Sequence, residues 1–228
     1  MIIAAGVLFS SCDNESGSGH VITEKRSVGE FTKLSVSSGI DVELRKGPES
    51  ISVEADDNLM EFIETVVENG TLKIGIRDRT SLNDVHIKVF VTANNVHSIK
   101  ASSAASVEVK DQLTSSEKIV LDASSASNIT TSVEAPEVSI EASSASEIKV
   151  SGRTRNVNAN SSSASTIRAF ELLSENTVAE ASSGSSIDVF ASVSLEANAS
   201  SGSDIDYKGA AITVKKEESS GGSVTKEN

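Results

Sequence analysis

Ala142-Ser143-Ser144-Ala145-Ser146-Glu147-Ile148-Lys149-Val150 is the stretch on which the reading of the chain turns. Taken alone, it passes for a serine-rich linker. Set beside its siblings, it becomes one rung of a stack. The small residue before each serine-rich turn falls at Ala101, Ala123, Ala142, Ser161, Ala181 and Ala199, at spacings of 22, 19, 19, 20 and 18. A period near twenty means one structural unit per repeat. Two residues on, every unit carries a serine: Ser103, Ser125, Ser144, Ser163, Ser183 and Ser201.

Apolar residues keep register with these turns. After the turn come Val107, Ile129, Ile148, Ile167, Ile187 and Ile205. Two further on are Val109, Thr131, Val150, Ala169, Val189 and Tyr207. On the approach side stand Ile99, Leu121, Ile140, Ala159, Ala179 and Ala197. The period of two is that of a strand. A disordered Ser/Ala linker has no reason to hold Ile or Val at one position in six units, and lacks the apolar content for a core. The chain therefore reads as all-β: a parallel β-solenoid with coils of about 20 residues. Analogy with parallel crossovers makes it a right-handed β-helix. Stacked rungs lie about 4.8 Å apart, which explains Ala, Ser and Gly at the bends. Inward serine hydroxyls would bond along the stack.

Residues 30–98 read as an N-terminal β region that caps or begins the solenoid, and Ser37-Ser38-Gly39-Ile40-Asp41-Val42 echoes the later turns. Ile40, Val42 and Leu44 alternate with polar residues, as do Ile51, Val53 and Ala55. Asp56-Asp57-Asn58 ahead of Leu59-Met60 predicts a capped helical turn, with a longer helix over 59–67 as the competing reading. Asn69-Gly70 predicts a type I′ hairpin. Residues 77–84 read as a polar loop, and Val85, Ile87, Val89 and Val91 as a strand. The repeats proper span 99–214, and 215–228 read as a polar C-terminal tail.

Aromatic residues are only 3% of the 228, with no Trp, which suits thin stacked layers better than a thick sandwich core. Net charge is −13, so the surface repels phosphate backbones and nucleic acid is excluded as a partner. Cys12 is the single cysteine, so no intrachain disulfide forms. Its position is more telling. Ile2-Ile3-Ala4-Ala5-Gly6-Val7-Leu8-Phe9 is an apolar run ending in Ser10-Ser11-Cys12, which resembles a bacterial lipobox. Residues 1–11 then read as a lipoprotein signal peptide, cut between Ser11 and Cys12, with lipid on the Cys12 thiol. An ordinary cleaved signal or a buried strand are the plainer readings. A signal normally opens with Lys or Arg. This one opens Met1-Ile2-Ile3 and is short, which fits a start internal to a longer signal. Residues 12–29 read as a polar tether. The expected partner is a membrane, through the lipid, and the expected location is the cell envelope, as an outer-membrane lipoprotein facing periplasm or cell surface.

Two outward columns carry charge. One runs Lys149, Arg168, Asp188, Asp206, where Arg168 and Asp188 are expected to pair. The other runs Asp122, Glu141, Asn160, Glu180, Asn198. Oxygen ligands of that kind suit Ca²⁺, but the Gly-Gly-x-Gly-x-Asp repeat is absent and no loop closes over the ladder, so no metal is assigned.

The order of these features is similar to that of a known family. It runs from Ser-Ser-Gly-Ile-Asp-Val through Asp56-Asp57-Asn58-Leu59 and Asn69-Gly70-Thr71-Leu72-Lys73-Ile74 into serial Ser-Ser-Ala/Gly-Ser coils. It closes on Ser200-Ser201-Gly202-Ser203-Asp204-Ile205-Asp206-Tyr207-Lys208-Gly209, with a late echo at Ser219-Ser220-Gly221-Gly222-Ser223-Val224. From about residue 30 to 225 the chain resembles the family described as putative auto-transporter adhesin, head GIN domain. The resemblance implies a β-solenoid and a secreted or lipid-anchored envelope protein of the Bacteroidetes. It transfers no site residues. Ala stands in many turns where the family more often has Gly, which stiffens them.

Catalytic signatures are missing from the sequence. His20, His86 and His97 have no metal-ligand spacing, and no Gly-x-Ser-x-Gly elbow or phosphate loop occurs. No catalytic residue and no cofactor is assigned. The chain is expected to be a non-enzymatic binding or structural module, an adhesin whose surface ligand is a glycan or a protein. The alternative is a polysaccharide-active enzyme on the same scaffold. A periplasmic structural protein without external ligand is a third reading.

Overall fold

Two columns of parallel strands run side by side through the computed structural model, which describes residues 13–77, 80–83 and 86–228. The first column stacks Lys33–Val36, Ser98–Ala101, Ile119–Ala123 and the later halves of Asn128–Ala142 and Glu147–Ser161. It continues through Asn176–Ala181, Ser194–Ala199 and Thr213–Glu218. The second stacks Asp41–Arg45, Ser106–Thr114 and the earlier halves of the two long strands. It continues through Thr166–Arg168, Ser186–Phe190, Asp204–Lys208 and Ser223–Lys226. Each coil contributes one strand to the first column, bends, and contributes the next strand to the second. The result is a β-solenoid of about 7 turns with coils of roughly 19 residues.

The register is the one the repeat dictates. Ala101, Ala123, Ala142, Ser161, Ala181 and Ala199 face one another in turn. Ile129, Ile148, Ile167, Ile187 and Ile205 do the same in the second column, each no more than 1% exposed. A fully buried Ile contributes roughly 1.5–3 kcal/mol relative to leaving it in water. The approach column thins from Ile99, Leu121 and Ile140 to Ala159, Ala179 and Ala197, all buried.

The bends have a geometry of their own. Ser144 and Ala145 both lie in the left-handed region, at φ 54° and 61°. The pairs Ser103/Ala104, Ser125/Ala126, Ser163/Ala164, Ser183/Gly184 and Ser201/Gly202 repeat it. Two left-handed residues turn the chain sharply enough to start the second strand at once. Their backbones also form a ladder: the Ala126 amide donates to the Ser144 carbonyl at 2.9 Å, and the Ala145 amide to Ser163 at 3.0 Å. The serine that turns inward is the one after these. Ser127, Ser146, Ser165, Ser185 and Ser203 are buried. Each donates its hydroxyl to a first-column carbonyl of the preceding coil, at 2.8–2.9 Å. Ser103, Ser125, Ser144 and their equivalents are instead the left-handed residues at the bend tip, and Ser144 is exposed.

The N-terminal end is closed by antiparallel strands. Val21–Arg26 pairs with Ser50–Asp56, which pairs with Lys88–Thr92, whose other edge joins Asp41–Arg45 in parallel. Ile63–Glu68 and Thr71–Ile76 form a hairpin through Asn69 and Gly70, at φ 51° and 72°. A 3-10 helix occupies Asp57–Phe62. Its N-cap, Asp56, makes no side-chain capping bond, and the competing helix over 59–67 is not formed, because Ile63–Glu68 is strand.

Two stretches read from composition as lying off the fold are part of it. Within residues 12–29, Val21–Arg26 is an edge strand and Asp13–Ser16 pairs in parallel with Thr80–Asn83. The latter also places strand within the expected loop 77–84. Within residues 215–228, Ser223–Lys226 and most of Thr213–Glu218 form the last coil. An edge strand buries little, so its sequence stays polar: Val21–Arg26 half-buries only Ile22 and Arg26. In the last coil Lys216 pairs with Ala197 and Glu218 with Ala199, which places two exposed charges in register with residues that are core in the earlier coils. Lys216 lies 4.8 Å from the Tyr207 ring and donates to the Val224 carbonyl at 2.8 Å, and Glu218 accepts the Val224 amide at 2.7 Å.

Candidate functional site on the outer faces

Alternation along each strand sends every second side chain outward, and stacking lines these up coil after coil. The outer surface is therefore a set of columns. Lys149, Arg168, Asp188 and Asp206 are in register on the second column. Arg168 does not pair with Asp188, however. Its Nε sits 2.7 Å from Glu147 Oε1, one coil back and two residues along. Arg168 still acts on Asp188 by charge at longer range, as does Lys208. The Glu147 hydrogen bond raises the Arg168 pKa.

Asp188 is left beside Asp206. Burial, and then the Asp206 charge, hold the Asp188 carboxyl above the usual aspartate range. Burial, Glu227 and Asp204 do the same to Asp206. At the N-terminal end of this face the opposite holds: the hydrogen bond from Arg45, at 2.8 Å, keeps Glu43 below its ordinary value. Beside these carboxylates Lys208 lies over the Phe170 ring at 4.7 Å.

The first column presents a different surface. Asp122, Glu141, Asn160, Glu180 and Asn198 stack in that order. Lys100 caps the row, 2.7 Å from Asp122, and that bond raises the lysine pKa. Alongside it runs a second row, Glu137, Asn156, Asn176, Ser194 and Thr213. Here Asn176 Nδ2 donates to Asn156 Oδ1 at 3.1 Å and Ser194 Oγ donates to Asn176 Oδ1 at 2.8 Å. Between the rows stand Asn158, Val178, Glu196 and Lys215. This second row and the residues between line a groove of about 430 Å³ across five coils. The sequence held a signal for it, the outward amides of Asn156-x-Asn158-x-Asn160, but amides without charge do not announce themselves.

Cys12 and Ser11, the lipid and cleavage residues, lie outside the described residues. His86 is exposed, His97 is half-buried, and His20 is exposed with Nδ1 3.4 Å from Asp57. The three do not converge. Among the described residues no three His, Cys, Asp or Glu side chains come together in a metal-binding arrangement. Nor is any helix among them long and apolar enough to cross a membrane.

Solved structures share this fold. A putative adhesin from Bacteroides fragilis superposes with a TM-score of 0.87 at 17% identity, covering 93% of this chain and all of its own. A putative lipid binding protein from Parabacteroides distasonis gives 0.79 at 20%, covering 95% and 100%. A putative adhesin from the same organism gives 0.76 at 21%, covering 94% and 100%. Comparison with curated proteins gives no match. The sequence matches the family described as "Putative auto-transporter adhesin, head GIN domain" over residues 30–211, most of its length, and the chain belongs to that family.

Proposed function

We propose that this chain is a lipid-anchored adhesin of the cell envelope, presenting a rigid β-solenoid as a non-catalytic binding surface. The observation that carries the reading is the outward columns, side chains held at fixed spacing by a laddered backbone whose serines bond inward. Such a lattice recognises a repeating or extended ligand, a glycan or a protein, without assembling a nucleophile and base. Family membership supports a place in the envelope or at the cell surface. The Ser11-Cys12 junction supports anchoring in the outer membrane through diacylglycerol on the thiol, with the domain facing periplasm or exterior. Two or more acyl chains hold stably.

Expression with Cys12→Ser tests the anchor: the protein should leave the membrane fraction, and continued sedimentation with membranes would contradict it. Protease treatment of intact cells tests exposure, and full protection of the domain would remove the adhesin reading.

One observation favours the alternative, a polysaccharide-active enzyme. Asp188 and Asp206 lie on adjacent rungs with both pKa values raised. Rungs about 4.8 Å apart approach the carboxylate spacing of retaining glycosidases. Incubation with envelope and host glycans separates the two: chain shortening supports the enzyme, and saturable binding without turnover supports the adhesin.

A further inference from the structure

We propose that the groove on the first column binds an extended neutral glycan lying along the solenoid axis. This deepens the adhesin reading and rests on it.

The groove offers hydrogen bonds that the protein does not use. An asparagine carries two donors and a carbonyl with two lone pairs. Among the described residues neither the Asn156 nor the Asn158 amide nitrogen donates to a protein partner, while their carbonyls accept from Asn176 and Asn160 at 3.1 and 3.3 Å. Donors and spare acceptors interleaved on neighbouring rungs are what hydroxyl groups require, since each hydroxyl gives one hydrogen bond and accepts others.

Charge narrows the ligand. The net charge of −13 repels acidic polymers and anionic lipid. Inside the groove both carboxylates are paired, Glu137 with Lys118 at 3.0 Å and Glu196 with Lys215 at 2.7 Å, a lysine it shares with Glu217 at 3.1 Å. What remains is an uncharged amide and hydroxyl lattice around Val178, which is 36% exposed and suits the C–H face of a sugar ring. A protein partner would want aromatic or arginine anchors, and the groove holds neither.

Spacing gives the direction. The lattice repeats every coil, about 4.8 Å, near the length of one pyranose unit in an extended chain. A glycan laid across the rungs meets one pair of side chains at each sugar, Asn156 and Asn158, then Asn176 and Val178, Ser194 and Glu196, and Thr213 and Lys215.

The test uses the full chain carrying Cys12→Ser, titrated calorimetrically with neutral β-1,4-glucan, β-1,4-mannan and α-1,4-glucan hexasaccharides, with oligogalacturonate, and with phosphatidylglycerol vesicles. At least one neutral hexasaccharide should bind. Asn158→Ala and, separately, Val178→Lys should each weaken it by about tenfold or more. Lys25→Ala, on the N-terminal edge strand away from both columns, should leave it unchanged, and all variants should melt like the parent. Absence of neutral-glycan binding, binding only to oligogalacturonate or vesicles, or binding indifferent to both groove variants would overturn the site. If the chain still adheres to intact cells in those cases, the adhesin reading stands without this groove. If it adheres to no surface, both fall.

Discussion

The Ser146 hydroxyl donates to the Ala123 carbonyl, one coil back, at 2.8 Å, and accepts the Ser143 amide at 3.0 Å. One small side chain thereby ties two coils together and closes its own bend. The Ser143 amide also donates directly to the Ala123 carbonyl at 3.0 Å, so Ser146→Ala removes two bonds without leaving either backbone group unpaired, and should cost about 0.5–1.5 kcal/mol. Ser144→Ala, at the exposed tip, should stay within about 0.5 kcal/mol. Urea midpoints for the two variants check this, and equal midpoints would reject the role given to Ser146.

Ala145 holds φ 61°, where a Cβ is strained, while Gly184 and Gly202 fill the same bend position at φ 68° and 69°. Left-handed geometry costs an L-residue roughly 1–2 kcal/mol, partly offset by glycine's greater entropy loss. Ala145→Gly should therefore stabilise by about 0.5–1 kcal/mol, and Gly184→Ala should destabilise by a similar amount. Opposite signs in thermal unfolding are the signature sought.

Ile148 lies between Ile129 and Ile167 and is fully buried. Ile148→Asp places a charge in an apolar stack, and a loss of about 4 kcal/mol or more is expected. An unchanged melting temperature would mean that this column faces solvent.

Asp188 and Asp206 bind protons more tightly in the fold than in the unfolded chain: burial raises both, the Asp206 charge adds to it at Asp188, and Glu227 and Asp204 add to it at Asp206. Ionisation therefore weakens the fold. Their contribution is most favourable below the ordinary aspartate range and is lost as pH rises through the raised folded values. Asp188→Asn should match the parent in acid and gain about 0.5 kcal/mol at neutral pH, the size of a like-charge cross-strand pair. A stability difference independent of pH would argue against the coupling.

The solenoid was legible because two periods coincide. Strands alternate by two and coils recur near nineteen, so Ile148 and its equivalents fall into line from the sequence alone. What escaped was anything that departs from burial. Val21–Arg26 and the stretch Lys215–Glu218 lie in strands whose side chains find little to cover them, so composition assigned them to a tether and a tail. Ser144 and Ser146 look alike on paper, and only φ separates the tip of a bend from its tie. Arg168 stands beside Asp188 in register, yet its long side chain reaches Glu147 instead. The amide groove escaped for a similar reason, because hydrogen-bond capacity left unspent is visible only after the partners are known.

The rung spacing here is that of an amyloid fibril, and an open parallel edge is a template for growth. Lys216 and Glu218 occupy the positions where a following coil would need apolar contact, so another copy docking there would have to bury both charges. At the opposite end, Val21–Arg26 and Ile63–Glu68 run antiparallel to their neighbours and interrupt the parallel stack. The molecule carries fibre-like geometry with a set length, and raising its concentration should not lengthen it.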